Sequence, residues 1–385
     1  MERHEAYRII DSLRLGIPPD GAIHQFTVGR KEEVEDLRRR VQTGDTGVLY
    51  LKANYGSGKT HLLRLVREYA LGHGYAVSLV SLDAAASVRF NRMDQIVGAI
   101  MRGLMVPGSC DTGVRPLFDL ICREIQNSRA RGDTDGYWYR LSNRWKWTES
   151  DACESMLMFV ALRAWATQVP AAQRLVEDVL FQPWSYYSQR KRLYKELIGD
   201  LWRHFKDAHH EWYYYPDGFK LNVGNYDPAW KFLRDLRVLA AEAGLKGVII
   251  LFDEFENMLT GLKRWDYKDD AFWNVLKFGR QKEFPGLCAF AITPGFFQSI
   301  AGFEEVKKFP MFEMQPLETS QLQELALRIR DTHAVALGWD ARERVRDTAL
   351  RAVVQRAAAI PVQDRTRQAI KQVVSALDSA FDEAL

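Results

Sequence analysis

Residues 53–60 read Ala-Asn-Tyr-Gly-Ser-Gly-Lys-Thr, between an apolar run of strand length, Thr46–Lys52, and a helical pattern, His61–Leu71. Few backbones satisfy that passage. Two glycines let successive N–H groups turn inward, and the following helix opens with free N–H groups aimed at the same point. Such a turn cradles phosphate. The P-loop pattern is GxxxxGK[ST], and here Ala53 stands where its first glycine would be. Gly56 and Gly58 keep the turn. Lys59 is placed to neutralise β/γ-phosphate oxygens, and Thr60 to offer a hydroxyl to Mg²⁺. A glycine turn that merely opens a helix would share this composition; the strand before and the helix after argue for a nucleotide. Ala53, Asn54, Tyr55, Gly56, Ser57, Gly58, Lys59, Thr60 and His61 are therefore the expected nucleotide-binding run, with ATP and Mg²⁺ as the expected ligands.

A P-loop of the ATPase type needs a carboxylate at the end of a buried strand. Gly247-Val-Ile-Ile-Leu-Phe-Asp-Glu254 supplies it, a continuous apolar run ending in two acids. Asp253 is the expected Mg²⁺ partner and Glu254 the general base for the attacking water. Glu256, a third acid, reads as structural or only electrostatic. Leu287–Ile292 is a further buried strand, ending at Thr293. In the AAA+ class a hydroxyl at that post orients the hydrolytic water. Arg367, with Arg365 as rival, is the candidate to reach the γ-phosphate from the helical C-terminal part.

Strand and helix patterns alternate through the first hundred residues: helices at about 5–16, 31–44 and 93–104, and a second strand at Ala76–Asp83. That alternation predicts βαβ units and a parallel sheet. The expected fold is α/β, a parallel-sheet P-loop (AAA+/ASCE) core with a helical C-terminal lid and a large helical insertion. Its parts are 1–104 and 241–316 for the core, 105–240 for the insertion and 317–385 for the lid. The insertion reads as helical, including Asp151–Val169 and Ser185–His209, without convincing strands. It holds eight tryptophans (138, 145, 147, 165, 184, 202, 212 and 230). Asp270–Lys282, Leu317–Leu337, Asp340–Ala358 and Asp364 onward also read as helices.

The 53 basic and 50 acidic side chains nearly cancel, giving a formal charge of +3, so contact with nucleic acid requires a local patch. Two segments qualify, Tyr137–Trp147 and Ser188–Lys206, where cations interleave with aromatics. The plainer reading makes the aromatics a core and the cations its solvated face. Cysteines at 110, 122, 153 and 288 have no paired spacing, and no HExxH occurs, so zinc and disulfides are not expected. His209 and His210 read as a solvated helix end. With a charged N-terminus and no apolar run of about 18 residues, the chain reads as cytoplasmic, without membrane contact.

The stretch RIIDSLRLGIPP…VGRKEEVEDLRRRV…YLKANYGSGKTHLLRLV, with FDEFEN and FAITPGFF later, resembles the BREX-type phage-defence P-loop ATP-binding proteins, the BrxD-like branch of the AAA+/ORC-Cdc6-like ATPases. The resemblance covers about 1–104 and 245–385. It implies that Lys59 and Thr60 are the P-loop pair, Asp253 and Glu254 the Walker B pair, Thr293 sensor 1 and Arg367 sensor 2. The region from Ile17 through Gly29 to Arg30 would line the adenine pocket. It also implies defence-system protein partners, a homo-oligomer, and duplex DNA met through 105–240. An arginine finger expected before the next strand is replaced by Glu304-Glu305-Val306-Lys307-Lys308-Phe309, with Lys307, Lys308 and Arg280 as possible substitutes. Slow hydrolysis, or a switch rather than a motor, follows from that loss. No C-terminal winged helix is expected. The functional expectation is an ATPase acting as a nucleotide-dependent, DNA-associated assembly or recruitment factor. The alternative is a STAND-like switch triggered by a protein, without DNA.

Overall fold

A computed structural model describes residues 1–82, 88–143, 153–181, 221–222, 224–259, 262–280, 282–298 and 304–383. The expected Ser185–His209 helix, the His209–His210 pair, the Ser188–Lys206 segment and tryptophans 145, 147, 184, 202 and 212 lie outside the described residues. So does the second half of Tyr137–Trp147.

The chain opens with α1 (Arg3–Arg14) and α2 (Lys31–Thr43), then β1 (Gly47–Lys52), α3 (Lys59–Gly72), β2 (Ala76–Ser81), α4 (Met93–Arg102) and β3 (Leu104–Met105). Helices α5 (Arg115–Arg131), α6 (Tyr137–Asn143), α7 (Met156–Ala166), α8 (Pro170–Phe181) and α9 (Asp227–Glu242) follow. Next come β4 (Val248–Asp253), α10 (Trp265–Phe278), β5 (Leu287–Ile292) and β6 (Met311–Glu313). The described chain finishes with α11 (Thr319–Leu337), α12 (Ala341–Arg344), α13 (Asp347–Ala358) and α14 (Val362–Asp382).

Six strands form one sheet in the order β3-β2-β4-β5-β1-β6, parallel except where β3 runs against β2. Strand β5 lies between β1 and β4, pairing Lys52 with Ile292 and Phe252 with Phe290. The carboxyl tips of β1, β5 and β4 therefore stand side by side, and open parallel sheets bind ligands at that edge.

Both faces of the sheet are covered, which is why its strands read as unbroken apolar runs. Leu49, Leu51, Leu251, Ala289 and Ala291 face α2 and α3, meeting Leu37, Leu62 and Val66. Their sequence neighbours Tyr50, Ile250, Phe252, Cys288 and Phe290 face the opposite way, into a core shared with α4, α5, α7, α9 and α10. Phe252 and Phe290 stack there with centroids 4.9 Å apart. Trp165 and Trp230 are fully buried and Trp138 nearly so. The described tryptophans of the insertion thus serve packing.

A third core joins α1 to α11, α13 and α14: Ile9, Ile10 and Leu13 pack with Leu325, Ile329, Val374 and Leu377. The first helix is thereby part of the C-terminal helical layer, not of the sheet's covering. Arg3 ties it down by donating to the carbonyls of Ala336 and Leu337 at the end of α11, 3.1 and 3.2 Å away.

Three local expectations change. Helix α10 begins at Trp265 rather than 270, because its first turn, Trp265–Lys268, mixes two aromatic and two charged residues and shows no apolar period. The 340–358 helix breaks at Val345, which is extended (φ −115°, ψ 91°), and the Val345 carbonyl accepts from Arg330 at 3.0 Å. The insertion also contains a strand, β3, at its start.

Candidate active site

Beyond β1, Gly56 (φ 72°) and Gly58 (φ 92°) adopt the left-handed backbone that glycine tolerates, and α3 starts at Lys59. Ala53 has no such need. Its backbone continues the sheet, donating to the Ile292 carbonyl at 3.0 Å, and its methyl is buried against the α3 side. The missing first glycine is therefore no obstacle to the loop. Asn54 stands exposed beside it.

A cavity of about 480 Å³ opens over the loop, between the sheet edge and the C-terminal helices. Gly56, Ser57, Gly58, Lys59 and Thr60 line one end, beside Asp253, Glu254 and Glu256. The other end is apolar: Ile17, Pro18, Phe26 and Val28 face Leu325 and Ile370. One polar, phosphate-suited end and one flat apolar end is what a nucleotide requires, and the volume falls in the range of small-molecule sites.

Thr60 Oγ1 donates to Asp253 Oδ2 at 2.6 Å, across 193 residues of sequence. The other carboxylate oxygen, Asp253 Oδ1, accepts from the Glu254 backbone N–H at 2.9 Å. A hydroxyl and a carboxylate meeting beside a phosphate loop form a hard-oxygen pair that suits Mg²⁺, an ion that keeps most of its waters. Glu254 has φ 52°, unusual for a non-glycine residue, and its Oε2 accepts from Asn257 Nδ2 at 3.2 Å. The Lys59 ammonium donates to the carbonyls of Ala53 at 3.0 Å and Asn54 at 3.4 Å, and lies 5.0 Å from the centre of the Tyr55 ring. Burial lowers its pKa, opposed by the charges of Glu256, Asp253 and Glu254.

Arg30 is a strut for the loop: it is buried, donates to the Ser57 carbonyl at 2.9 Å and pairs with Glu33 at 3.3 Å. Burial lowers its pKa. His61 Nε2 bonds Thr27 Oγ1 at 2.8 Å, and that hydroxyl donates onward to the Ile23 carbonyl, so His61 carries its proton on Nε2. Burial, with Arg30 and Arg64 nearby, pushes His61 down to about 4, so it is neutral near pH 7.

The C-terminal helices touch the loop directly. A side-chain carbon on Gly56 would fall 1.6 Å from the Gln363 carbonyl at the start of α14, so this contact and the positive φ both demand glycine. Arg367 lines the cavity, exposed and without a hydrogen bond or ion pair, its stem lying across Gly16; Arg365 is turned to the Ile360 carbonyl. Among the described residues, Arg367 makes no hydrogen bond or ion pair, whereas Arg365 is engaged.

The structure thus gathers Ile17, Arg30, Tyr55, Gly56, Ser57, Gly58, Lys59, Thr60, His61, Asp253, Glu254 and Arg367 around one cavity. Ala53, Asn54, Gly29 and Thr293 are not on its wall. Gly29 (φ 62°) instead seats the α11 capping box, since a side chain there would strike Gln321. Thr293 follows β5 at the central tip of the sheet edge, its carbonyl accepting from Phe296 at 3.0 Å. Thr27, Arg64 and the lid's Leu325 and Ile370 were not singled out by the sequence. Their placement depends on contacts between distant segments, which no local pattern announces.

Residues 1–136 match the family described as BREX system ATP-binding protein BrxC/D. Over this segment the chain is similar to BREX-type ATP-binding proteins. The match takes in the phosphate loop and the Ile17–Arg30 wall, whereas Asp253, Glu254, Thr293 and Arg367 lie beyond it and stand on geometry alone. No curated protein and no solved structure matches the chain. Among the described residues no helix is long and apolar enough to cross a membrane, no group of three or more His, Cys, Asp or Glu could hold a metal ion, and the four cysteines are free.

Proposed function

We propose that this chain is an AAA+-like P-loop ATPase of a phage-defence system, using its ATP cycle to assemble or recruit partner proteins on DNA. The Thr60–Asp253 contact carries this reading, because it joins the phosphate loop to the acid strand inside one nucleotide-sized cavity. The parallel sheet, with β5 set between the loop strand and the acid strand, supports the AAA+/ASCE assignment.

Phosphates enter the loop when Lys59 leaves the Ala53 and Asn54 carbonyls and turns its ammonium toward them. The N–H groups around Gly56 and Gly58 and the N-terminus of α3 then meet the negative oxygens. Thr60 and Asp253 would hold Mg²⁺, which shields charge on the β/γ-phosphates when bound. Glu254, restrained by Asn257, takes the proton of the attacking water. Thr293, at the tip between β1 and β4, is assigned to orient that water. Arg367 reads lid position against the nucleotide.

A second reading, a protein-triggered STAND-like switch without DNA, is favoured by one observation. The start of α14 already rests on Gly56, so opening and closing of the lid is coupled to the phosphate loop. Two of the three candidate substitutes for an arginine finger also have other contacts, Lys307 pairing with Glu304 at 2.8 Å and Arg280 lying over the Trp273 ring; Lys308 is the third. ATP turnover of wild type and Glu254→Gln, with and without duplex DNA at two salt concentrations, separates the readings. DNA stimulation that fades with salt and disappears in the variant supports the DNA-coupled ATPase. Tight ATP binding, negligible turnover and indifference to DNA support the switch.

A further inference from the structure

The apolar end of the cavity begins at Ile17, Pro18 and Pro19, just after α1. Neither proline has an N–H to donate, so partners from elsewhere must fix this stretch. They come from α3. Arg64 Nη1 donates to the Pro18 carbonyl at 2.9 Å, and Glu68 Oε1 accepts from the Gly21 N–H at 2.5 Å. Arg67 and Arg64 also reach Asp20, at 2.6 and 3.2 Å, but that carboxylate is exposed and such pairs contribute little. The far end of the same wall meets α3 through the bond between His61 and Thr27. His61, Arg64 and Glu68, spaced by three and four residues, form one stripe along the helix.

Helix α3 thus opens in the phosphate loop and carries Arg64 and Glu68 about 6 and 12 Å further along its axis from Thr60. Arg64 Nη1 is committed to the wall, and Glu68 does not line the cavity. We propose that Arg64 and Glu68 are positioning residues for the nucleotide base, fixing the 17–21 wall at a set distance from the phosphate seat. The phosphate end works without them; the base end does not. Arg64 Nε, enclosed and without a partner, is a cost the fold accepts for that placement. The inference rests on the nucleotide-binding reading and assigns the two ends of the cavity to different residues.

Calorimetric titration of the full chain with ADP and with inorganic pyrophosphate, both in Mg²⁺, tests it on wild type, Arg64→Met, Arg64→Lys and Glu68→Ala. Arg64→Met keeps an unbranched side chain but loses its donors, and is expected to bind ADP about tenfold more weakly. Glu68→Ala should weaken ADP binding about threefold. Pyrophosphate, which has no base, should stay within about twofold of wild type in both variants. Arg64→Lys restores a donor for the Pro18 carbonyl and should recover part of the ADP affinity. Should Arg64→Met fail to fold, Glu68→Ala carries the same comparison. Unchanged ADP binding by the variants, or equal losses for ADP and pyrophosphate, overturns the inference while the nucleotide reading stands. A loss in Arg64→Met with Glu68→Ala at wild-type affinity makes Arg64 a direct ligand contact and also overturns it. Wild type that binds ADP but no pyrophosphate overturns the division into two ends, and the inference with it. Failure of wild type to bind ADP at all overturns the nucleotide reading as well.

Discussion

His333 in the lid and Glu256 at the sheet edge are both ionisable side chains with enclosed polar atoms, and their surroundings differ completely. His333 has no exposed surface, yet each ring nitrogen is satisfied: Nδ1 accepts from the Trp339 indole at 3.0 Å, and Nε2 meets Asp378 at 3.1 Å. Asp378 in turn binds Arg14 of α1 at 2.8 Å, locking the first helix onto the lid. Glu256 has no such partner, and two residues earlier Glu254 sits on positive-φ backbone. Buried polar groups that are fully paired stabilise an arrangement. Groups left short of partners, on strained backbone, mark a place that awaits another molecule. The His333 ring is satisfied by its neighbours; the Glu256 carboxylate is not.

The largest effect should come from Lys59→Ala. It removes the ammonium beside the glycine turn and is expected to abolish ATP binding by calorimetry, with the helical circular dichroism unchanged. Retained affinity would show that the loop is not the phosphate seat. Glu254→Gln comes next: ATP should still bind while turnover drops by about 10²-fold or more, the usual contribution of a general base. Normal turnover would remove Glu254 from that role.

Stability measurements sharpen the contrast between the two regions. His333→Ala opens a cavity and leaves the Trp339 donor unpaired, costing about 2–4 kcal/mol in denaturant unfolding. Glu256→Gln breaks no hydrogen bond of the carboxylate oxygens and should leave the unfolding midpoint unchanged or raise it. Equal losses at both sites would erase the distinction.

A smaller effect is expected from pH. His61 is held at about 4 in the fold against an ordinary 6.5, so between those values the unfolded chain takes up a proton that the folded chain refuses. Stability from this group is complete above pH 6.5 and declines as pH falls toward 4. Asp235, buried and raised from 3.8 to about 6, acts in the opposite sense: its contribution is lost as pH rises through that window. The measurement is therefore a difference. Unfolding free energies of wild type and His61→Gln across pH 4–7 should diverge as the pH rises. Parallel curves would mean that His61 is not desolvated.

The least effect belongs to Ala53→Gly, which restores the glycine of the motif. Ala53 is not among the residues with positive φ, and its methyl is packed, so nucleotide affinity should hold within about twofold while stability falls by about 0.5–1 kcal/mol. A marked gain in affinity would show that alanine does constrain the loop.

Much of this site was legible one segment at a time. The glycines at 56 and 58 had to be where the backbone turns left-handed, and the apolar runs before Ala53 and up to Asp253 had to be strands buried on both faces, because such patterns are set by each segment's own backbone and side chains. The 264–270 turn was misread for the same reason in reverse: its charged residues carry no period. The sequence by itself therefore determined the glycine turn between β1 and α3, the strand that ends at Asp253 and the alternation that forces a mostly parallel sheet. Only the tertiary structure decided that α1 belongs to the lid, that Gln363 presses on Gly56, that Thr27 fixes the proton of His61, and that Glu256 is enclosed without a partner. Each of these depends on which distant surfaces exclude water from one another, a property of packing that no local spacing of residues encodes.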